Sequence, residues 1–78
     1  MKQLTQAIFD GAPWWAKSAA ISAQGEAHIY GTAAKDLSRD DYLSCFLPHH
    51  YAGYMEFVGF DYDPTDWQNS AIDREVTV

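Results

Sequence analysis

Polar and apolar positions alternate most clearly over residues 26–30, where Glu26, His28 and Tyr30 fall on one side of an extended chain and Ala27 and Ile29 on the other. Residues 17–23 are small and β-permissive, and Gln24-Gly25 is a two-residue turn signal, so residues 17–31 predict a β-hairpin. Its buried face is expected to carry Ala27 and Ile29, with Ala19 and Ile21 opposite them. Residues 54–60, Tyr54-Met55-Glu56-Phe57-Val58-Gly59-Phe60, combine β-branched and aromatic side chains between Gly53 and Asp61 and predict a further strand. The apolar run over residues 42–47 has no decisive period. Asp40 and Asp41 ahead of it suit a short helix, its rings suit a strand, and Pro48 stops either. Residues 32–39 are polar or small and predict a loop or irregular crossing.

Capping signals predict two short helices. Thr5 can cap residues 6–10, which end at Gly11 and then Pro13. Asp63 at the cap, Pro64 at the first helical position and Asp66 three residues after the cap predict a helix from Trp67 to about Arg74, with Trp67, Ala71 and Ile72 as its apolar stripe. The expected fold class is therefore α+β: a small antiparallel sheet of three to four strands, with the hairpin at about 17–31 and a strand at about 54–60, flanked by short N- and C-terminal helices. No repeat, linker or low-complexity tract interrupts the chain, so residues 1–78 are expected to form a single domain.

Composition narrows the function classes. The chain has 78 residues, twelve of them aromatic (three Trp, five Tyr, four Phe), and so short a chain needs most of its rings for the core. A single cysteine, Cys45, permits no intramolecular disulfide, which suits a reducing cytoplasm. No apolar signal-peptide core and no run of about eighteen apolar residues occurs, so neither secretion nor a membrane span is expected. The net charge of −6 is unevenly spread. Residues 1–39 hold three acids and four bases, +1 in all, whereas residues 40–78 hold eight acids against Arg74 alone, −7 in all. Phosphate is repelled by such a body, which argues against direct nucleic-acid binding and for a basic protein partner.

Candidate chemistry is sparse. Asp61, Asp63 and Asp66 cluster like a calcium loop, but the sixth and twelfth positions counted from Asp61 are Asp66 and Ile72, not the glycine and glutamate an EF-hand requires. Cys45, His28, His49 and His50 are the only soft or borderline ligands, and they lack a Cys-x-x-Cys pair. A Cys45 nucleophile lacks a glycine-rich or oxyanion signature. The pairs Asp40 with Asp41 and Asp61 with Asp63 lack an evident cleft in which their protonation could be tuned. No glycine-rich loop cradles a phosphate. The sequence thus predicts no enzyme, no metal and no cofactor, and it directs attention to display. Adjacent residues of an extended chain cannot all point inward, so one ring of Trp14-Trp15 is expected at the surface. His49, His50, Tyr51 and Tyr54 are expected there too, with Asp61 and Asp63 adding charge, as a partner-binding surface.

Two segments resemble a type of small accessory protein encoded by tailed phages and prophages. Leu4-Thr5-Gln6-Ala7-Ile8-Phe9-Asp10-Gly11-Ala12-Pro13-Trp14-Trp15 is similar to an L-T-Q-x-x-F-D-G-x-P-x-W opening. Phe60-Asp61-Tyr62-Asp63-Pro64-Thr65-Asp66-Trp67-Gln68-Asn69-Ser70-Ala71-Ile72-Asp73-Arg74 is similar to an F-D-x-x-D-W-Q-N-S-x-I-x-R ending, with two more residues between Asp61 and Asp66 than that pattern has. The resemblance carries no assigned catalytic residues and implies origin, with the cytoplasm of a bacterial host as the site of action. It implies a phage protein that binds and inhibits a host protein, a defence nucleoprotein in the manner of anti-CRISPR or anti-restriction proteins, by occupying a basic surface. The alternative is a structural or regulatory phage component that self-associates without inhibiting anything. Either a monomer or a homodimer is compatible with this reading.

Overall fold

The computed structural model describes residues 1–48 and 54–75. Its six strands are β1 (Ser18–Ile21), β2 (Ala27–Tyr30), β3 (Ser38–Asp40), β4 (Cys45–Leu47), β5 (Met55–Gly59) and β6 (Ile72–Asp73). They form a four-stranded sheet in the order β5-β2-β1-β6 and a two-stranded sheet of β3 and β4, and every strand pairing is antiparallel.

The hairpin prediction holds in register, for Ala19 faces Ile29 and Ile21 faces Ala27. Its turn is one residue longer than Gln24-Gly25 suggests. Ser22 N–H donates to Glu26 O (2.8 Å) and Gly25 N–H to Ser22 O (3.0 Å), leaving Ala23, Gln24 and Gly25 as the loop. Gly25 takes the left-handed φ of 79° that ends such a loop.

The expected one-sided burial fails, because both faces of β1 and β2 are covered. On one face Ala19 and Ile29 pack with Phe9 and Ala16, joined by Leu4, Ile8, Trp15 and Ile72. On the other, Ala20 and Tyr30 pack with Phe46, joined by Leu37, Trp67 and Ala71. Tyr30, which the alternation assigns to the open side, is fully buried, and its hydroxyl donates to Phe46 O (2.9 Å). Small side chains along β1 let both layers approach closely, and Ser18 in the same strand satisfies its hydroxyl by donating to Thr32 O (2.6 Å).

The α+β assignment is overturned: among the described residues there is no α-helix, only three 3-10 turns at Gln6–Phe9, Ala34–Asp36 and Trp67–Asn69. Thr5 does cap the first turn, its hydroxyl accepting from Ala7 N–H (3.3 Å), but Gly11 (φ 74°) and Pro13 leave too few residues to repay helix nucleation. At the other end the expected cap does not form: Asp63 closes only a local turn, its carboxylate accepting from Thr65 N–H (3.0 Å) and from the Thr65 hydroxyl (2.6 Å), while Asp66 precedes the 3-10 turn without a side-chain cap bond. Helix fails to follow because Ile72 and Asp73 pair with Ala19 and Ser18. The neighbours Ala71 and Ile72 enter opposite layers, which is strand geometry, whereas a helical stripe would hold them on one face. Residues 42–47 resolve into a turn followed by β4. Asp40 organises that turn by accepting Leu43 N–H (2.9 Å), and Ser44 adopts a left-handed φ of 58°. No helix among the described residues is long and apolar enough to cross a membrane.

Candidate interaction surface

The two outer strands of the main sheet end in different ways. At the β6 edge the Gln6 side chain stands where another strand would lie: its amide donates to Asp73 O (2.7 Å) and accepts from Glu75 N–H (3.0 Å). Asp73 adds to the closure by accepting Ala34 N–H on its carboxylate (2.7 Å). Nothing comparable covers β5 among the described residues. Gly31 N–H donates to Tyr54 O (2.9 Å), and antiparallel alternation then turns Glu56 toward Ile29 and directs the N–H and C=O of Met55 and Phe57 away from the sheet. A bulge between Phe57 and Gly59, where Val58 is the additional residue, ends this regular stretch.

The side chains of this edge are apolar on both faces. Met55, Phe57 and Val58 are exposed, as are Tyr54 (62 %) and Phe60 (65 %) at its ends. Glu56 is the only charge within the strand. Phe57 packs edge-on against His28, with ring centroids 5.6 Å apart. His28 is half-buried, Nδ1 has no hydrogen-bond partner, and burial holds the imidazole below its ordinary titration range against the opposing pull of Glu26.

The aromatic residues singled out from sequence meet at the start of β5. Trp15 stacks on Tyr54, with centroids 5.2 Å apart and planes 29° apart, and also contributes to the core. Its neighbour Trp14 is the displayed ring of the pair, 90 % exposed. His49, His50 and Tyr51 lie outside the described residues. Asp61 and Asp63 sit beyond the far end of β5, which itself ends about 17 Å along the strand from Tyr54 at 3.3 Å per residue. The structure thus separates the predicted aromatic and acidic groups and joins them by the edge strand. Two displays were missed from sequence: the edge of β5, and the tip of the β3–β4 hairpin. Tyr42 at that tip is 94 % exposed and Leu43 is exposed beside it. The pairing order that makes β5 outermost leaves no trace in local sequence, and Asp40, read as suiting the start of a short helix, instead accepts Leu43 N–H in the turn that carries Tyr42.

The acidic end is built as a fixed corner. Lys2 N–H donates to Asp61 O and Asp63 N–H to Lys2 O, both 2.9 Å, while Tyr62 N–H donates to Gly25 O (3.0 Å). The Lys2 ammonium lies 4.7 Å from the centroid of the Tyr62 ring. Asp61 holds a left-handed φ of 72°. Hydrogen bonds from Thr65, and a longer one from Gln3 (3.3 Å), keep the Asp63 carboxyl below its ordinary range. Asp66 accepts from Asn69 Nδ2 (2.9 Å). Asp63 and Asp66, with Gln3, Leu4 and Ile72, line an open cleft of about 300 Å³. Both carboxylates facing the cleft already have local partners, Asp63 the Thr65 N–H and hydroxyl and Asp66 the Asn69 side-chain amide. Among the described residues no three His, Cys, Asp or Glu side chains are grouped so as to hold a metal ion. Cys45 is half-buried at the start of β4, and burial together with Asp40 and Glu26 pushes its thiol up, away from the reactive thiolate. Compared with family models, with curated proteins and with solved structures, the chain has no match.

Proposed function

We propose that this chain is a small phage accessory protein that binds and inhibits a basic host protein, a nucleic-acid-processing defence complex, using the Trp14 platform and the acidic corner at Asp61 and Asp63. One observation carries the reading: Trp14 is nine-tenths exposed while its neighbour Trp15 is locked between the core and Tyr54. A large ring held out on an immobilised backbone loses little freedom on docking, which is the economy found at binding hot spots. The charge of −7 carried by residues 40–78 supplies steering toward a cationic groove. The phage-like opening and ending of the sequence supply the cellular setting.

The test is affinity purification from infected or lysogenic cells, comparing the native chain with Trp14→Ala and with Asp61→Lys/Asp63→Lys. The expected outcome is one dominant basic, nucleic-acid-processing partner, with affinity weakened roughly thirtyfold or more by Trp14→Ala. The charge-reversed variant is expected to bind more slowly, with a reduced salt dependence. Capture that is indifferent to both variants, in proteins that retain the native fold, refutes the proposed surface.

A further inference from the structure

The asymmetry between the two sheet edges has a consequence that does not depend on any host partner. We propose that β5 pairs antiparallel with β5 of a second copy of this chain, giving a closed two-fold dimer with one continuous eight-stranded sheet.

Three observations support a second copy as the occupant. The first is backbone valence. Met55 and Phe57 each turn an N–H and a C=O to the open side, and a two-fold axis at Glu56 sets Met55 of one copy opposite Phe57 of the other. All four groups of each copy are then bonded, and the bulge at Val58 lies outside the paired stretch. The second is area. At roughly 150–250 Å² for a fully exposed aromatic side chain, the uncovered fractions of Tyr54, Met55, Phe57, Val58 and Phe60 amount to about 500 Å². Complete coverage of these fractions in both copies would bury at most about 1,000 Å², the size at which a specific interface begins. The third is closure. The β6 edge is already satisfied by the Gln6 amide and by Ala34 N–H on Asp73. Among the described residues the four-stranded sheet thus keeps one open edge per copy, so pairing through it is isologous and stops at two, whereas two open edges in that sheet would propagate a filament.

The same register makes Glu56 a brake. It places Glu56 directly across from Glu56 of the second copy, and like charges in that position weaken the pairing. The dimer is therefore reversible and tunable by a single exposed side chain that contributes nothing to the core.

Sedimentation equilibrium of the purified chain, from low micromolar to several hundred micromolar, reads the assembly directly. The expected result is a monomer–dimer equilibrium with no larger species. Glu56→Gln tightens it about two- to fivefold by removing the facing charges. Phe57→Lys and Met55→Lys each weaken it more than about tenfold, since each buries an ammonium against the apolar edge. Two-dimensional amide spectra confirm that the monomer fold survives in each variant. Because Phe57 also touches His28, Met55→Lys and Glu56→Gln carry the conclusion if Phe57→Lys does not fold. A monomer at every concentration, a species larger than a dimer, or a dimer indifferent to both Glu56→Gln and Met55→Lys overturns the proposal. The host-binding reading is untouched by any of these results, because no host protein is present.

Discussion

Removing one oxygen atom tests the packing of the second core layer. In Tyr30→Phe the ring remains in its 1 % exposed site, but Phe46 O loses the hydroxyl that donates to it at 2.9 Å. A buried carbonyl left without its donor costs about 1–3 kcal/mol. For a domain of this size that corresponds to a melting temperature lower by roughly 5–20 °C. The same hydroxyl gives the variant a distinctive alkaline behaviour. Burial, with a smaller contribution from Cys45, raises the Tyr30 hydroxyl well above its ordinary value. Folding thus favours the neutral phenol: its stabilising effect is complete below the unfolded value of about 10 and is lost as pH rises above it. At about pH 11 the native chain forfeits on the order of 1.4 kcal/mol from this one group, and Tyr30→Phe forfeits none. Cys45, raised in the same direction, titrates in both proteins and largely cancels in the difference. Urea unfolding followed by tryptophan fluorescence at pH 8 and pH 11 measures both effects. The deficit of Tyr30→Phe should be full at the lower pH and shrink at the higher. A melting temperature within about 2 °C of the native chain, or a deficit that does not change with pH, refutes the reasoning.

Other expectations follow from individual contacts. Gly25→Ala should lose about 1–3 kcal/mol by urea titration, since a left-handed φ of 79° disfavours a side chain and the added Cβ would meet Tyr62 O at 2.7 Å. Trp14→Ala should change stability by less than about 0.5 kcal/mol, because its ring faces water. A large loss of stability would instead place that ring in the core. Gln6→Ala should accelerate hydrogen exchange at Glu75, whose N–H donates to the Gln6 side chain, while leaving exchange at the centre of β1 unchanged. Thr65→Ala should return the Asp63 carboxyl toward its ordinary range in a carbon-detected pH titration. The native chain should then lose stability as pH falls through the depressed value, and the variant should show less of that acid loss.

Much of the sheet is legible in the sequence, and the reason is local. Residues 17–31 carry their own turn glycine and alternation, so the partners Ala19 with Ile29 and Ile21 with Ala27 follow from a nearby loop. The strand at 54–60 is equally visible, but its place at the outside of the sheet depends on where β1, β2 and β6 lie. The C-terminal segment shows how tertiary pairing overrides a cap. Asp63 and Thr65 form a local turn in place of the expected helix cap, and the edge of β1 at Ser18 and Ala19 offers Ile72 and Asp73 a ladder that a short helix cannot match. Alternation predicts a buried side for the hairpin, but it cannot reveal that β4 and Trp67 arrive to bury Tyr30 on the other. The display of Trp14 was readable because two adjacent tryptophans cannot share one direction. The apolar edge was not, since Phe57 and Val58 read as core until their neighbours are placed.

Alanine and serine in β1 have a geometric effect that reaches the whole molecule. With so little side chain between the layers, the protein measures 34 × 29 × 17 Å, closer to a tile than to a ball. A tile spreads its mass over a wide footprint, so 78 residues can roof an area that a rounder fold of equal length would leave partly open.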